Sequence, residues 1–396
     1  MSLPCRRTRA ASVAGGTLLV TAVLTSFLTT SPAFGALDVP DAVLAVGAAA
    51  AGGAGDAATG AIAESAYAGM SELGRVAASL DLPAAATPTK AAAVSPAPSW
   101  AWDGWRSGAS GVEAEDGTFG TWRGKPVQAV SVWADGPEQA QTEMTPVDRY
   151  ADYVGDMDVA VGGLVRREAG QAPETWKDAA AGKYVARWTT AMRTLRAKRA
   201  GKGTTYVRIA HEMNGDWMAW GMNAASLKDY IAGYRLYASI VRKEFPEARL
   251  TWSPNGGNHT NVSIDQMYPG NDVVDVVGPD IYDGWPDATT PAIFKQVANT
   301  WLTPQSPRGI LAWQQWAARH GKPLGLPEWG LTHGDQDAFI VGVHDVLAKY
   351  AGQKGRVSNA GRFVYDVYFN AEQQFKLLNG TNPKSSAAYK ARIWGN

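Results

Sequence analysis

From Trp100 onward, short runs of apolar and β-branched residues alternate with longer segments whose apolar positions recur every three or four residues. The short runs fall at 111–114, 127–133, 157–165, 205–211, 249–253, 273–281, 323–327 and 362–369. Helical periodicity is clearest at 183–200, 227–244, 310–320 and 337–350. Strands that alternate with helices in this way argue for parallel βα units. Eight such strands, most followed by a helix, predict an α/β fold of the (β/α)8 TIM-barrel type over residues 98–396. A doubly wound open sheet would need a glycine-rich first turn, and none of that form is present.

The pattern before Trp100 is different. Arg6, Arg7 and Arg9 precede an apolar stretch from Val13 to Leu28, and Ala33-Phe34-Gly35 then supplies small residues. Residues 1–35 therefore read as a secretory signal peptide, and the interrupting Gly15, Gly16 and threonines argue against a retained membrane anchor. Residues 36–97 are rich in Ala and Gly, then in Pro, with Tyr67 as the one aromatic. Such a segment cannot bury enough apolar surface to fold alone and reads as a disordered, low-complexity linker. An Ala-rich helix around Ser65 to Leu80 is compatible with this, without an assigned role. The expected product is a secreted, extracellular, monomeric protein, free of the membrane once the leader is cleaved.

Charge and composition narrow the partner. Lysine plus arginine equals aspartate plus glutamate at 37 each, so no global field favours nucleic acid or anionic membranes. Sixteen tryptophans against nine phenylalanines is unusual. Many serve the core, but an indole also stacks on the C–H face of a pyranose, which points towards carbohydrate. Cys5 is the single cysteine and lies in the leader, so a mature chain has no disulfide and no thiolate metal site.

The candidate chemistry lies at two strand ends. Arg208-Ile209-Ala210-His211-Glu212-Met213-Asn214-Gly215-Asp216-Trp217 closes the fourth run, and Leu326-Pro327-Glu328-Trp329-Gly330 the seventh. In (β/α)8 barrels the reacting groups stand at the C-terminal strand ends. A retaining glycosidase needs two carboxyl groups about 5–5.5 Å apart, one as nucleophile and one as acid and then base. Glu212 as the acid must be protonated, helped by a negative Glu328 and by desolvation from Trp217 and Trp220. Glu328 must stay ionised. Strand parity turns Arg208 and Glu212 to one face, and likewise Asp280 and Tyr282, so Arg208 and the Tyr282 hydroxyl are expected to serve Glu328.

Other readings of the same letters fail. His211-Glu212 opens like a zinc helix, but Gly215 stands where the second histidine would be, so no metal site is expected. His320 and His344 fall in helical patterns, His333 follows Glu328 closely enough to reach the cleft, and His259 stands alone. Two glycosylation sequons begin at Asn258 and Asn261, a signal common by chance. There is no phosphate-cradling loop and no serine nucleophile elbow.

The stretch Arg208-x-x-His211-Glu212-Met213-Asn214-Gly215-x-Trp217-x-x-Trp220-Gly221 resembles the acid/base motif of glycoside hydrolase family 26, a family best known for β-mannanases. The resemblance covers residues 98–396. It implies Glu212 as acid/base, Glu328 as nucleophile, His211 beside the scissile sugar and Trp217 as a wall on the leaving-group side. It further implies Asp280 and Tyr282 as an Asp-x-Tyr pair against the nucleophile, double displacement, and no metal or organic cofactor. On the eighth strand, where family mannanases often carry Trp-Arg-Asn, this chain has Tyr368-Phe369-Asn370. Tyr368 would still stack under a sugar, while Phe369 donates no hydrogen bond. An endo-β-1,4-mannanase is the implied activity. β-1,3-Xylan or mixed-linkage β-glucan as substrate, and a non-hydrolytic carbohydrate-binding barrel, are the alternatives.

Overall fold

The strands form where the apolar runs are, and they wind into one ring. In the computed structural model, residues 101–167, 171–284 and 286–392 are described, so the expectations for residues 1–35 and 36–97 lie outside the described residues. All described residues fall in one unit, Thr89–Asn396. Its strands are β1 (Arg106–Ser110), β2 (Ala129–Ala134), β3 (Asp156–Val161), β4 (Thr205–Ile209), β5 (Arg249–Trp252) and β6 (Val276–Val277). They continue with β7 (Ile281–Tyr282), β8 (Trp301–Thr303), β9 (Ser306–Pro307), β10 (Leu324–Gly330) and β11 (Phe363–Phe369).

Pairing runs β1-β11-β10-β6-β5-β4-β3-β2, every pair parallel, with β7 added against β10. The ring nearly closes between β1 and β2, where Gln128 N–H donates to Ser107 O at 3.0 Å. Gly108 makes that approach possible: a Cβ there would lie 1.6 Å from Ala129 O. The result is a near-closed eight-stranded parallel barrel of the TIM type. β8 and β9 form a separate antiparallel hairpin.

Two strand expectations need correction. The first strand lies at 106–110 rather than 111–114, because Gly111 at φ +98° ends it and Val112–Glu115 turns helical. The sixth run is split into β6 and β7 around Gly278-Pro279, where proline removes a ladder donor, and Asp280 bridges Asn255 instead. The helices keep close to their apolar periodicity. Leu227–Glu244 buries Tyr230, Tyr234, Tyr237, Ala238 and Val241 on one stripe, as the sequence pattern predicts.

The main core lies between strands and outer helices, built on Trp188, Trp252, Trp313, Trp316 and Trp329, all fully buried. A smaller cluster fills the barrel itself, where Tyr206 and Tyr365 stack with centroids 4.1 Å apart. The Tyr365 hydroxyl then donates to Asp158 Oδ2 at 2.6 Å, so the barrel interior changes from aromatic to ionic towards the rim. Among the described residues no helix is long and apolar enough to cross a membrane.

Candidate active site

One arginine organises the barrel interior. Arg208, on β4 and fully buried, donates from Nε to Asp158 Oδ1 at 2.7 Å. Its Nη1 donates to Glu328 Oε1 at 2.6 Å and to both oxygens of Asp280 at 3.1 and 3.2 Å. Burial opposes the charge on Arg208, but Asp158, Asp280 and Glu328 together outweigh it and keep the guanidinium protonated. Glu328 also accepts from Trp133 Nε1 at 2.7 Å and from the Tyr282 hydroxyl at 3.2 Å. Burial pushes its carboxyl up, yet Arg208 and these donors win and hold Glu328 below the usual carboxylate range. Burial raises Tyr282, which stays a donor, and raises Asp158 and Asp280 against the pull of Arg208.

Glu212 is set the other way. β4 ends at Ile209, and Ala210 and Glu212 take left-handed backbone angles, φ 50° and 51°. A non-glycine residue there costs on the order of 1 kcal/mol, strain of the kind that collects at functional sites. Strand parity therefore does not carry from Arg208 to Glu212; the turn delivers it instead, tied down by Glu212 N–H donating to Ser253 O at 2.7 Å. The carboxylate accepts from Asn255 Nδ2 at 2.6 Å and from Trp217 Nε1 at 2.7 Å. Burial and the charge on Glu328 raise it above its ordinary value, and those two hydrogen bonds only partly offset them.

His211 completes the centre. Its ring is buried, and burial beside Arg208 depresses it to about 3, so the imidazole is neutral. Nε2 lies 3.7 Å from Asp135 Oδ2, and Nδ1 is buried with no hydrogen-bond partner. Asp135 follows β2, two residues beyond Trp133, and burial pushes it up to about 6, with Glu328 adding to the rise. Among the described residues no group of three or more His, Cys, Asp or Glu is placed to hold a metal ion.

The sequence profile described as Glycosyl hydrolase family 26 matches residues 184–311, a stretch that holds Arg208, His211, Glu212, Trp217, Asp280 and Tyr282. Over residues 184–311 the chain matches glycosyl hydrolase family 26. Solved structures agree on the barrel. The YdhT protein from Bacillus subtilis is 16% identical, with 74% of this chain and 86% of that one covered and a TM-score of 0.50. A modular endo-β-1,4-mannanase from Cellulomonas fimi is 18% identical, covering 73% and 71%, with a TM-score of 0.51. A double mutant of a C. fimi endo-β-1,4-mannanase is 16% identical over 73% and 71%, with a TM-score of 0.52. At such identity the likeness speaks for the fold. No curated protein matches the chain.

Within this barrel, two aromatic residues expected in the cleft are buried instead. Tyr368 is fully buried, donates to Phe375 O at 2.7 Å and packs edge-on against Trp329, so it forms no floor under a sugar. The pleat turns Phe369 inward instead, against Trp133 at 5.4 Å and Tyr282 at 5.9 Å between centroids. Trp220 is also buried; its Nε1 donates to His211 O at 2.6 Å, which supports the histidine from behind. Trp217 remains 40% exposed and free to meet a ligand, with His259 edge-on against it at 4.8 Å. His333 lines a cavity of about 520 Å³ together with Asn255, His259, Asp280, Tyr282 and Asp283. Sequence reasoning missed Trp133, Asp135, Asp158 and Asn255. Only Trp133 carried a usable signal, as an aromatic near a strand end.

Proposed function

We propose that the protein is a retaining endo-β-glycanase that hydrolyses β-1,4-mannosidic bonds by double displacement. What supports the reading is the opposite setting of two glutamates: Arg208, Trp133 and Tyr282 donate to Glu328 and hold its carboxyl below the usual range, while burial and the charge on Glu328 raise that of Glu212. Glu328 attacks the anomeric carbon and forms a glycosyl-enzyme while Glu212 protonates the departing oxygen. Glu212, now a carboxylate, takes a proton from water, which displaces Glu328. Trp217 and the cavity beyond Asn255 lie on the acid's side, where the leaving portion of the chain departs. Residues 1–35 would direct export and residues 36–97 would tether the catalytic domain 98–396, which acts as a monomer without a cofactor.

Reducing-end release from mannan, galactomannan, β-1,3-xylan and lichenan tests the backbone sugar. Mannan is expected to be cleaved fastest, with internal cuts. Preference for either of the other β-glycans would replace the mannanase reading with its neighbour, and binding without cleavage of any would make the barrel a binding module.

Glu212→Ala is expected to slow substrates with poor leaving groups by on the order of 10²–10⁴-fold, and an aryl glycoside with an activated phenol far less in its first step. Equal losses on both would contradict the acid role. The pH dependence of kcat/KM is expected to be a bell. Activity rises as Glu328 ionises, below the ordinary carboxylate range, and falls only when the raised Glu212 loses its proton. In Glu212→Gln the alkaline limb should vanish; its persistence at the same position would assign that limb to another group.

A further inference from the structure

Among the described residues, the carboxylate of Asp135 accepts from its own backbone N–H and from no other residue. Its side chain is 23% exposed, and the neutral ring of His211 stands beside it with Nε2 3.7 Å from Oδ2, too far for a hydrogen bond. His211 is itself buried with Nδ1 unpartnered. His211 Nε2 and Asp135 Oδ2 face each other with no direct hydrogen bond, and this gap points to a ligand atom between them that completes both. A hydroxyl oxygen about 2.8 Å from each would bridge a 3.7 Å gap comfortably. It could donate to the carboxylate and accept from the imidazole.

Position along β2 says which sugar this is. Trp133 touches Glu328, and Asp135 follows it two residues on, one pleat nearer the open end. The gap therefore adjoins the nucleophile and not the leaving-group wall formed by Trp217 and Asn255 on Glu212. Resting on the hydrolase reading above, we propose that Asp135 is a specificity-determining residue. Its carboxylate accepts a hydrogen bond from a ring hydroxyl of the neutral sugar bonded to Glu328, while His211 donates to that same hydroxyl.

The test pairs a protein group with a substrate group. Wild type, Asp135→Asn and Asp135→Ala are assayed on a 2,4-dinitrophenyl β-bioside and on analogues lacking one hydroxyl of the sugar next to the phenol. The series (mannose, glucose or xylose) is the one that wild type turns over best. Wild type is expected to lose on the order of 100-fold in kcat/KM on one deoxy analogue, because a half-buried carboxylate is then left without its partner. Asp135→Ala should lose about as much on the parent bioside, and its penalty for the same missing hydroxyl should shrink to a few-fold. Asp135→Asn, isosteric and able to accept but uncharged, should fall between. Matching thermal melts rule out a folding defect; a variant that melts early is judged on the ratio of parent to deoxy rates, which misfolding does not change. Undiminished discrimination at every hydroxyl in both variants would overturn the role of Asp135 and leave the hydrolase reading intact. A wild type inactive on all three series would instead remove that reading itself.

Discussion

Glu328→Ala is expected to abolish turnover of polysaccharide and of activated aryl glycosides alike, with kcat lower by on the order of 10⁵-fold. The size follows from the role. A group that forms the bond to the sugar has no substitute, whereas a proton donor can be bypassed by a good leaving group. The surroundings of Glu328 support that role. Three donors, Arg208, Trp133 and Tyr282, converge on one carboxylate at 2.6, 2.7 and 3.2 Å, and none of them satisfies Glu212. An acceptor kept only for structure would gain little from being held ionised in a buried site, since ionisation there is what burial opposes. The alanine variant also leaves a gap beside the anomeric carbon, so added azide should restore release of an activated phenol and yield a glycosyl azide of inverted configuration. Activity that survives on an aryl glycoside without azide would remove Glu328 from the nucleophile's role.

The sequence was most legible where local pattern and tertiary demand coincide. Leu227–Glu244 shows this: its tyrosines recur at helical spacing because that stripe packs on the barrel. β4 and β5 likewise stand where β-branched and apolar runs predict them. β1 was misplaced for a physical reason. Ser107-Gly108-Ala109-Ser110 carries no bulky strand formers, since the closing seam against Ala129 has no room for them. The exchange of Tyr368 for Phe369 is an error of pleat: with Tyr365 turned inward to Asp158, residues 367 and 369 share its face and residue 368 does not. Glu212 and Glu328 could be picked out because each stands in a compact motif. Asp158, Asp135 and Asn255 could not, because each acts through a partner on another strand, and no spacing along the chain encodes that meeting.

Arg208→Met is expected to cost stability as well as activity, and the two losses separate in pH. The methionine fills most of the arginine's volume but leaves Asp158, Asp280 and Glu328 buried around a missing cation. Removing one partner from a buried ionic cluster destabilises by about 3–5 kcal/mol. Asp158 and Asp280 already lie above the ordinary carboxylate range in the folded protein, and without Arg208 they and Glu328 rise further. A carboxyl raised in the folded state holds its proton more tightly there than in the unfolded chain. Its contribution is therefore fully present below the unfolded value near 4 and is lost as pH climbs through the folded value. The melting temperature of Arg208→Met should thus fall furthest below wild type at pH 8 and recover partly towards pH 5. The activity should not recover, because protonating Glu328 removes the nucleophile that the arginine served to keep charged. A melting difference independent of pH would mean that the three acids do not depend on Arg208 for their charge, and the electrostatic account of the whole centre would then fail.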